Sequence, residues 1–345
     1  MSTPNPMSGP RERAGASTTG WAIASPETTR RMVELACRAP SVHNPQPWAW
    51  RVGTDRIDLY ADWSRRLPAS DPHGRNLLIS CGAALHHAQV AARALGFAAT
   101  VTLSPDPTRR RHLATIALSP REPDADAAAD LRALERRSTD RERFTDWPIP
   151  DERLTKVAGS IRQEGVRGLA LTDVGDRFRV ELLVTRAQTL QARDERLVAE
   201  QRDWIDHSSR DGIPSRALPS AAGLPQNQRS RFDSDRGAGQ PDVRIGSDGL
   251  IVLGSVTDDQ AAWLRTGEAL SALWLHATID GLSVVPLSQV IEVDETRQAL
   301  RFELLGGDLF PQILVRMGWE EIGRSQRTRT PRRPVDDVLL DAGDA

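Results

Sequence analysis

The hydrophobic pattern in the first third of the chain alternates between helical and strand spacing. A serine cap before Pro26 and an apolar face that runs up to Pro40 predict a first helix that stops at Ala39. Alternating apolar and polar residues on both sides of Gly53-Thr54-Asp55 predict a hairpin. The predicted elements here are helices over 26–39 and 71–96, a hairpin over 48–61, and strands over 98–103 and 111–118.

The same kind of pattern returns in the rest of the chain, which looks like a second copy in outline. The predicted helices cover 124–137, a stretch from about 151, 176–202, 258–281 and 294–305, and the predicted strands cover 167–173, 249–256 and 311–319. Helices and strands mixed in this way predict an α+β fold arranged as an α/β sandwich.

One long segment, residues 205–243, departs from this pattern because Ser, Gly, Pro, Arg and Asp dominate it. Insertions of this length are uncommon inside compact domains, and they are usually disordered linkers or lids over a site. Composition favours disorder. Its position between core elements favours a lid, since lids close over sites that must exclude water. Both interpretations stay open.

Composition and charge exclude several classes of function. The chain has 345 residues, 39% of them hydrophobic, and 45 basic residues nearly cancel 47 acidic ones to give a net charge of −2. We therefore expect no binding to nucleic acid or to an anionic membrane through a global field, and any anion recognition must be local. No apolar run approaches a membrane span, and no signal peptide opens the chain, so we expect a disordered leader over 1–24 and a cytoplasmic protein.

The sequence also lacks the usual catalytic and metal-binding signatures. It contains no GxxxxGK[ST], GxGxxG, HExxH, CxxC or GxSxG motif. Cys37 and Cys81 are too isolated for a disulfide framework or a zinc site, and they fit a reducing compartment. The seven histidines show no ligand spacing, since the adjacent His86 and His87 point about 100° apart on a helix. We expect no metal site.

A first segment with a chemical signal is the loop Ala39–Trp48, with the sequence APSVHNPQPW. Its three prolines predict an extended backbone, and short polar side chains follow one another along it. Such a loop suits a flat heteroaromatic ligand. The alternative is an ordinary connection between a helix and a strand.

A second segment is Arg137-Ser138-Thr139-Asp140-Arg141. Two arginines that flank a hydroxyl can converge on one phosphate when the backbone turns, because each guanidinium offers a fork of donors. The alternative is a solvated face in an arginine-rich protein. The basic pair Arg332-Arg333 has the same two interpretations.

Together these segments carry a resemblance to a known family. The first resembles the PSxxNxQPW segment of the flavin-dependent nitroreductase superfamily, and the second resembles its RxSxR phosphate motif. Their order is reversed here, as in the Acg-type branch, where two nitroreductase-like halves are fused and mimic the usual homodimer. Each half retains the motif that the other lacks, which implies one complete site for flavin mononucleotide (FMN). The implied halves cover 25–123 and 124–335, with a tail over 336–345.

The resemblance also implies a set of FMN-binding residues. The loop residues would contact the flavin ring and ribityl chain, the arginine motif would hold the phosphate with added charge from near the C-terminus, and a loop around 286–289 would lie along the ring. The implied residues are Pro40, Ser41, Asn44, Gln46, Arg137, Thr139, Arg141, Leu287, Ser288, Gln289, Arg332 and Arg333.

The function that the resemblance implies is hydride transfer from NAD(P)H, through one bound FMN, to an electron-poor acceptor. The flavin carries the chemistry, so no catalytic side chain is expected. An alternative is a protein that stores FMN behind a closed lid with little or no turnover, and a third possibility is a scaffold without flavin. The fused halves complete a site without a partner, so a monomer is expected by default, although a homodimer is possible.

Overall fold

The computed structural model describes residues 24–104, 108–122, 126–139, 141, 144–218, 248–319 and 329–341. Its first half forms an antiparallel sheet in the order β1-β2-β4-β3, with a long helix between the two hairpins. The elements are α1 (Pro26–Ala36), β1 (Trp48–Val52), β2 (Arg56–Ala61), α2 (Arg75–Ala94), β3 (Phe97–Leu103) and β4 (His112–Pro120).

The second half forms another antiparallel sheet in the order β5-β6-β8-β7. Additional helices stand before this sheet and in the long connections between its strands. The elements are α3 (Ala127–Arg136), α4 (Asp151–Ala158), β5 (Val166–Ala170), α5 (Val174–Gln191), α6 (Glu195–Asp203), β6 (Gly249–Ser255), α7 (Gln260–Ile279), β7 (Leu282–Leu287), α8 (Gln289–Glu292), α9 (Asp294–Ala299) and β8 (Phe310–Trp319).

The two halves repeat one arrangement of elements. Once the additional helices of the second half are left out, each runs helix, strand, strand, long helix, strand, strand, and in each sheet the second and fourth strands occupy the centre. The prediction of an α+β fold built from two related halves is therefore confirmed. The predicted boundary at 123–124 lies outside the described residues, as does the predicted leader apart from Ala24.

The long helices α2 and α7 cross at two glycines. Gly82 is the eighth residue of α2, and Gly267 is the eighth residue of α7. A Cβ on Gly267 would lie 2.7 Å from the backbone nitrogen of Ala83 and 2.8 Å from Cα of Gly82. The backbones therefore touch here, which only glycine allows. The crossing joins the two halves.

A second symmetric contact follows one helical turn later. His86 and Ser271, the twelfth residues of the two helices, are hydrogen-bonded through Nδ1 and Oγ at 2.8 Å. Beside them Nε2 of Gln89 donates to Oε1 of Glu268 at 2.6 Å. Burial raises the pKa of Glu268 to about 7. The crossing thus contains a carboxyl group that titrates near neutral pH.

We predict that Glu268→Gln stabilises the protein above about pH 4.5, increasingly up to about pH 7. Between the ordinary pKa of 4.5 and the folded pKa of about 7, the folded state keeps a proton that the unfolded state has released. Stability therefore falls as pH rises through this window. Glutamine removes that loss and still accepts from Gln89, so the variant should match the wild type at pH 4.5 and exceed it by up to about 3 kcal/mol at pH 8. Urea melts at both pH values measure the difference, and equal stability at pH 8 would contradict the raised pKa.

Several element boundaries differ from the predictions. The helix predicted over 176–202 is two helices, α5 and α6, because Asp194 caps the second by accepting from the backbone N–H of Arg196 and Leu197. The helix predicted from Asp71 begins at Arg75, and Oδ2 of Asp71 accepts instead from the N–H of Leu77 at 2.8 Å. Strand β7 and helix α8 were not predicted.

The predicted tail is also part of the fold. Backbone hydrogen bonds join Trp50 to Val338 and Leu340 at 2.7 and 2.8 Å, so the described residues of 336–341 lie along β1. Trp48, Trp50 and Trp274 are fully buried, which removes them from the tryptophan-rich surface that a homodimer could use. Among the described helices, none combines the length and apolar character needed to cross a bilayer.

Candidate functional site

An apolar cavity lies where the two halves meet. It encloses about 1090 Å³, part of which opens to solvent. Helix α2 lines it with Ile79 and Ala83, and helix α7 lines it with Leu270 and Trp274. The end of β7 and the segment after it supply a further wall. Both halves therefore build this cavity.

An arginine-rich pocket of about 1010 Å³ adjoins the cavity, and Thr139 and Arg141 line both. Its only described carboxylates are Glu34 and Glu135, which both pair with Arg31, at 2.9 and 3.7 Å. The excess of positive charge demands an anion. The arginines of the pocket are Arg31, Arg38, Arg137, Arg141, Arg329, Arg332 and Arg333.

Arg137 is the most deeply buried of these, with 7% of its surface exposed. Its Nη2 donates to the carbonyl of Arg38 at 2.7 Å, and its guanidinium lies 4.5 Å from the ring centre of Trp274. Its Nε and Nη1 have no hydrogen-bond partner among the described residues. Burial lowers the pKa of Arg137 well below its usual value, and Arg332, Arg329 and Arg38 add to the effect. Burial also lowers the pKa of Arg332, to about 10. An anion would satisfy these donors.

The predicted loop residues divide into two groups. Pro40 and Ser41 line the cavity. Asn44 and Gln46 are buried but are not among the residues that line it. Other segments of the chain occupy their amides, and their contact with a flavin stays a prediction.

The amide of Asn44 joins three chain segments. Its Nδ2 donates to the carbonyls of Gly212 and Pro331 at 2.9 and 3.0 Å, and its Oδ1 accepts from Nη1 of Arg332 at 3.0 Å. Gln46 has a similar position, since Nε2 donates to the carbonyl of Arg210 at 2.8 Å. The two amides thus hold the insertion and the C-terminal segment against the loop.

The loop backbone is not extended as predicted. His43, Asn44 and Gln46 have φ values of 62°, 63° and 53°, in the left-handed region that non-glycine residues seldom adopt. Ser41 accepts two backbone hydrogen bonds. The N–H of Asn44 donates to its carbonyl at 2.9 Å, and the N–H of Gln46 donates to the Oγ of Ser41 at 3.1 Å. These bonds and the amide contacts hold a conformation that costs energy, as is common where a loop shapes a functional site.

The structure brings the remaining predicted residues to the two connected spaces. Leu287, Ser288 and Gln289 line the cavity at the end of β7. Arg332 and Arg333 line the arginine pocket, where the N–H of Arg333 also donates to Oε1 of Gln46 at 2.9 Å. Thus ten of the twelve predicted residues line the cavity or the pocket.

Sequence reasoning missed other residues of the site. Arg38 and Arg329 line the pocket. Arg38 directly precedes the loop Ala39–Trp48, and Arg329 stands three residues before the predicted Arg332. Asn76 and Trp274 line the cavity from α2 and α7. They lie at helical spacing from Ala83 and Leu270, which line the same cavity. Ile213 lines it from the insertion. Most of the predicted lid, 219–243, lies outside the described residues.

The helix positions that correspond to two cavity residues carry a polar pair. Ala83 of α2 and Trp274 of α7 line the cavity, and the residues at the corresponding helix positions are Glu268 of α7 and Gln89 of α2. These two are hydrogen-bonded to each other. In the described part of the chain, no group of three His, Cys, Asp or Glu side chains is placed to bind a metal.

Comparison with known proteins gives the family. No protein-family model matches the chain. It is 38% identical over 320 residues to a Mycobacterium tuberculosis protein named "Putative NAD(P)H nitroreductase Rv3131", covering 91% of each chain. It is 33% identical over 333 residues to the protein of that organism named "Putative NAD(P)H nitroreductase acg", covering 92% of this chain and 96% of that one. A solved structure, the FMN-dependent nitroreductase NfnB of Mycobacterium smegmatis in complex with NADPH, is 16% identical with a TM-score of 0.42, over 63% of this chain and 99% of that chain.

The chain is built from two related α+β halves that share a cavity. The similarity to the two mycobacterial proteins extends over nearly the whole chain. The chain belongs to the nitroreductase superfamily, in its Acg-type branch.

Proposed function

We propose that the protein is an FMN-dependent oxidoreductase that accepts hydride from NAD(P)H and passes electrons to an electron-poor acceptor. The observation that carries this proposal is the buried Arg137, whose Nε and Nη1 have no partner among the described residues and whose guanidinium stacks on Trp274 of the cavity. A flat ring with a phosphate at the end of its side chain suits an apolar cavity that opens onto an arginine pocket. The names of the mycobacterial relatives support the reductant.

The residues of this chain would divide the work between binding and orientation. Arg137, Thr139 and Arg141 would hold the phosphate, while Ser41 and the segment around Ser288 would lie along the ring. When bound, FMN supplies the acceptance and release of hydride. Arg141, which lines both the cavity and the pocket, would favour negative charge at this end of the cavity.

Anaerobic mixing with NADPH and with NADH tests the proposal. The purified protein, loaded with FMN, should bind one FMN per chain, and at least one of the two reductants should bleach its flavin absorption band. Free FMN at the same concentration is the control, since it reports reduction without the protein. A protein that gains no flavin band would overturn FMN binding. A bound flavin that only dithionite bleaches would overturn the oxidoreductase.

A further inference from the structure

His43 brings a titratable side chain into the wall of the cavity, where it is 3% exposed. The other charged residues that line the cavity are Arg141 and Arg316, and a guanidinium group keeps its proton at every working pH. No carboxylate stands among the described residues of this wall. Imidazole has an ordinary pKa of about 6.5. His43 is therefore the described group of the cavity whose type suits the release of a proton near neutral pH.

The backbone holds His43 in an unusual conformation. Its φ is 62°, and Asn44 follows with a φ of 63°. Two successive non-glycine residues in the left-handed region are uncommon, and such strain concentrates at functional sites. The strain thus points to a role for the side chain that the loop brings to the cavity.

Long-range hydrogen bonds of the next residue maintain this conformation. The side chain of Asn44 bonds to Gly212, Pro331 and Arg332, and the N–H of Gly212 donates to the carbonyl of Asn44 at 3.3 Å. The charged residues in contact with the loop include Arg65, Arg332 and Arg333, which donate to it, and Asp211, which pairs with Arg65. The balance of charge beside His43 is positive, which stabilises an anion that forms nearby.

Reduction of an electron-poor acceptor consumes a proton as well as a hydride. When a quinone takes up hydride, an electron pair moves onto one of its oxygens, which becomes an anion. That charge is costly in an apolar cavity unless a donor meets it. The cavity encloses about 1090 Å³ and opens in part to solvent, whereas a site for one small ligand has about 300–1,000 Å³. It therefore leaves space for an acceptor beside a flavin ring.

We propose that His43 is the proton donor to the acceptor. An N–H bond of its imidazolium breaks, an O–H bond forms on the acceptor oxygen, and the neutral imidazole regains a proton from solvent. The acceptor is reduced by the hydride, and NAD(P)H, which supplies it, is oxidised. The inference rests on the proposed function, because it takes the cavity as the place of reduction. Asn44 is then a positioning residue, since its amide holds the backbone of the donor.

Two electron acceptors that differ in their need for protons test the assignment. The FMN-loaded protein is reduced with one equivalent of dithionite, so that the test does not depend on NAD(P)H, and is mixed without oxygen with tetramethylbenzoquinone or with ferricyanide. The quinone takes up protons, and ferricyanide takes up electrons alone. His43→Asn should slow oxidation by the quinone about 10²-fold and leave the ferricyanide rate within about 2-fold. Asparagine is chosen because it tolerates the left-handed region.

The pH profile of the wild type gives a result that does not need the variant. Oxidation by the quinone should slow at least about 10-fold between about pH 5.5 and pH 8.5, because the imidazolium form is lost, whereas the ferricyanide rate should stay nearly constant. His73→Asn is the matched control, since His73 is exposed and does not line the cavity. It should keep both rates within about 2-fold of the wild type.

A binding measurement complements the rates. In proton NMR spectra of the oxidised, FMN-loaded protein, the imidazole signal that is missing from His43→Asn belongs to His43. This signal should shift when phenol, which resembles the reduced end of a quinone, is added, and the signal of His73 should not. An unmoved His43 signal at saturating phenol would overturn the placement of the donor beside the acceptor.

The remaining outcomes separate this inference from the proposed function. A His43→Asn variant that slows both acceptors alike would show a structural role and overturn the inference. Wild-type quinone rates that do not change with pH would overturn it even if the variant did not fold. In both cases a bound flavin that NADPH or NADH bleaches would leave the proposed function intact. A wild type that binds no flavin would overturn the two together.

Discussion

Replacing Arg137 and Arg141 together with alanine is expected to weaken FMN binding by roughly 10²- to 10⁴-fold. A hydrogen bond to a charged group contributes about 1.5–3 kcal/mol, and the variant loses at least two of them. Nε and Nη1 of Arg137 are already buried at the pocket without a partner among the described residues, so little reorganisation precedes the contact. Fluorescence titration of the flavin-free variant with FMN measures the loss.

The stability of the flavin-free protein should rise when the charge of Arg137 is removed, although FMN binding weakens. Arg137 is buried beside Arg332, and an uncompensated buried charge destabilises the fold. Arg137→Met keeps the volume and removes the charge, and the carbonyl of Arg38 still accepts from Nη2 of Arg332 at 3.2 Å. The flavin-free variant should therefore melt at a higher temperature than the wild type while it binds FMN poorly.

Arg136→Ala is the matched control, because Arg136 is the exposed neighbour of Arg137. It should change neither the FMN affinity nor the melting temperature appreciably. An Arg137→Met variant that loses stability and affinity together would show that the arginine is structural. Unchanged affinity in the double alanine variant would refute the phosphate assignment.

The sequence predicted the fold best where an element carries a long, largely apolar run. Helices α2 and α7 and strand β8 could be predicted because most of their residues are buried. Strand β7 was missed because LSVVPL contains a proline and directly follows a helix. Pro286 is tolerated there because β7 is an edge strand that pairs with β8 alone, apart from a single bridge to Thr139. Local pattern does not reveal which strand will lie at an edge.

Among the side chains of the site, those with local chemistry could be predicted from sequence and those with long-range contacts could not. The arginine motif and Ser41 could be placed from sequence because their chemistry is local. The hydrogen bonds of Asn44 and Gln46 could not, since their amide NH₂ groups donate to carbonyls more than 160 residues away, in the insertion and the C-terminal segment. Such long-range contacts decide whether a polar loop residue faces a ligand or holds the chain.

Substituting alanine for Gly267 is expected to destabilise the whole molecule by at least about 3 kcal/mol, although alanine is the better helix former by about 1 kcal/mol. The added Cβ would overlap the carbonyl oxygen of Ile79 and approach the backbone of Ala83. These atoms belong to a helix backbone and cannot rotate away. Because Ile79 and Leu270 line the cavity from the two crossing helices, separation of the helices should also weaken FMN binding.

Gly175→Ala is the control, because this helical glycine meets only the side chain of Asp173 within 4 Å, and its substitution should be close to neutral. Gly82→Ala should be as damaging as Gly267→Ala, since its Cβ would overlap the carbonyl of Leu264. The double variant should cost less than the sum of the two, because one displacement of the helices relieves both overlaps. Strictly additive losses, or a Gly267→Ala variant that melts like the wild type, would show that the two halves do not meet through these glycines.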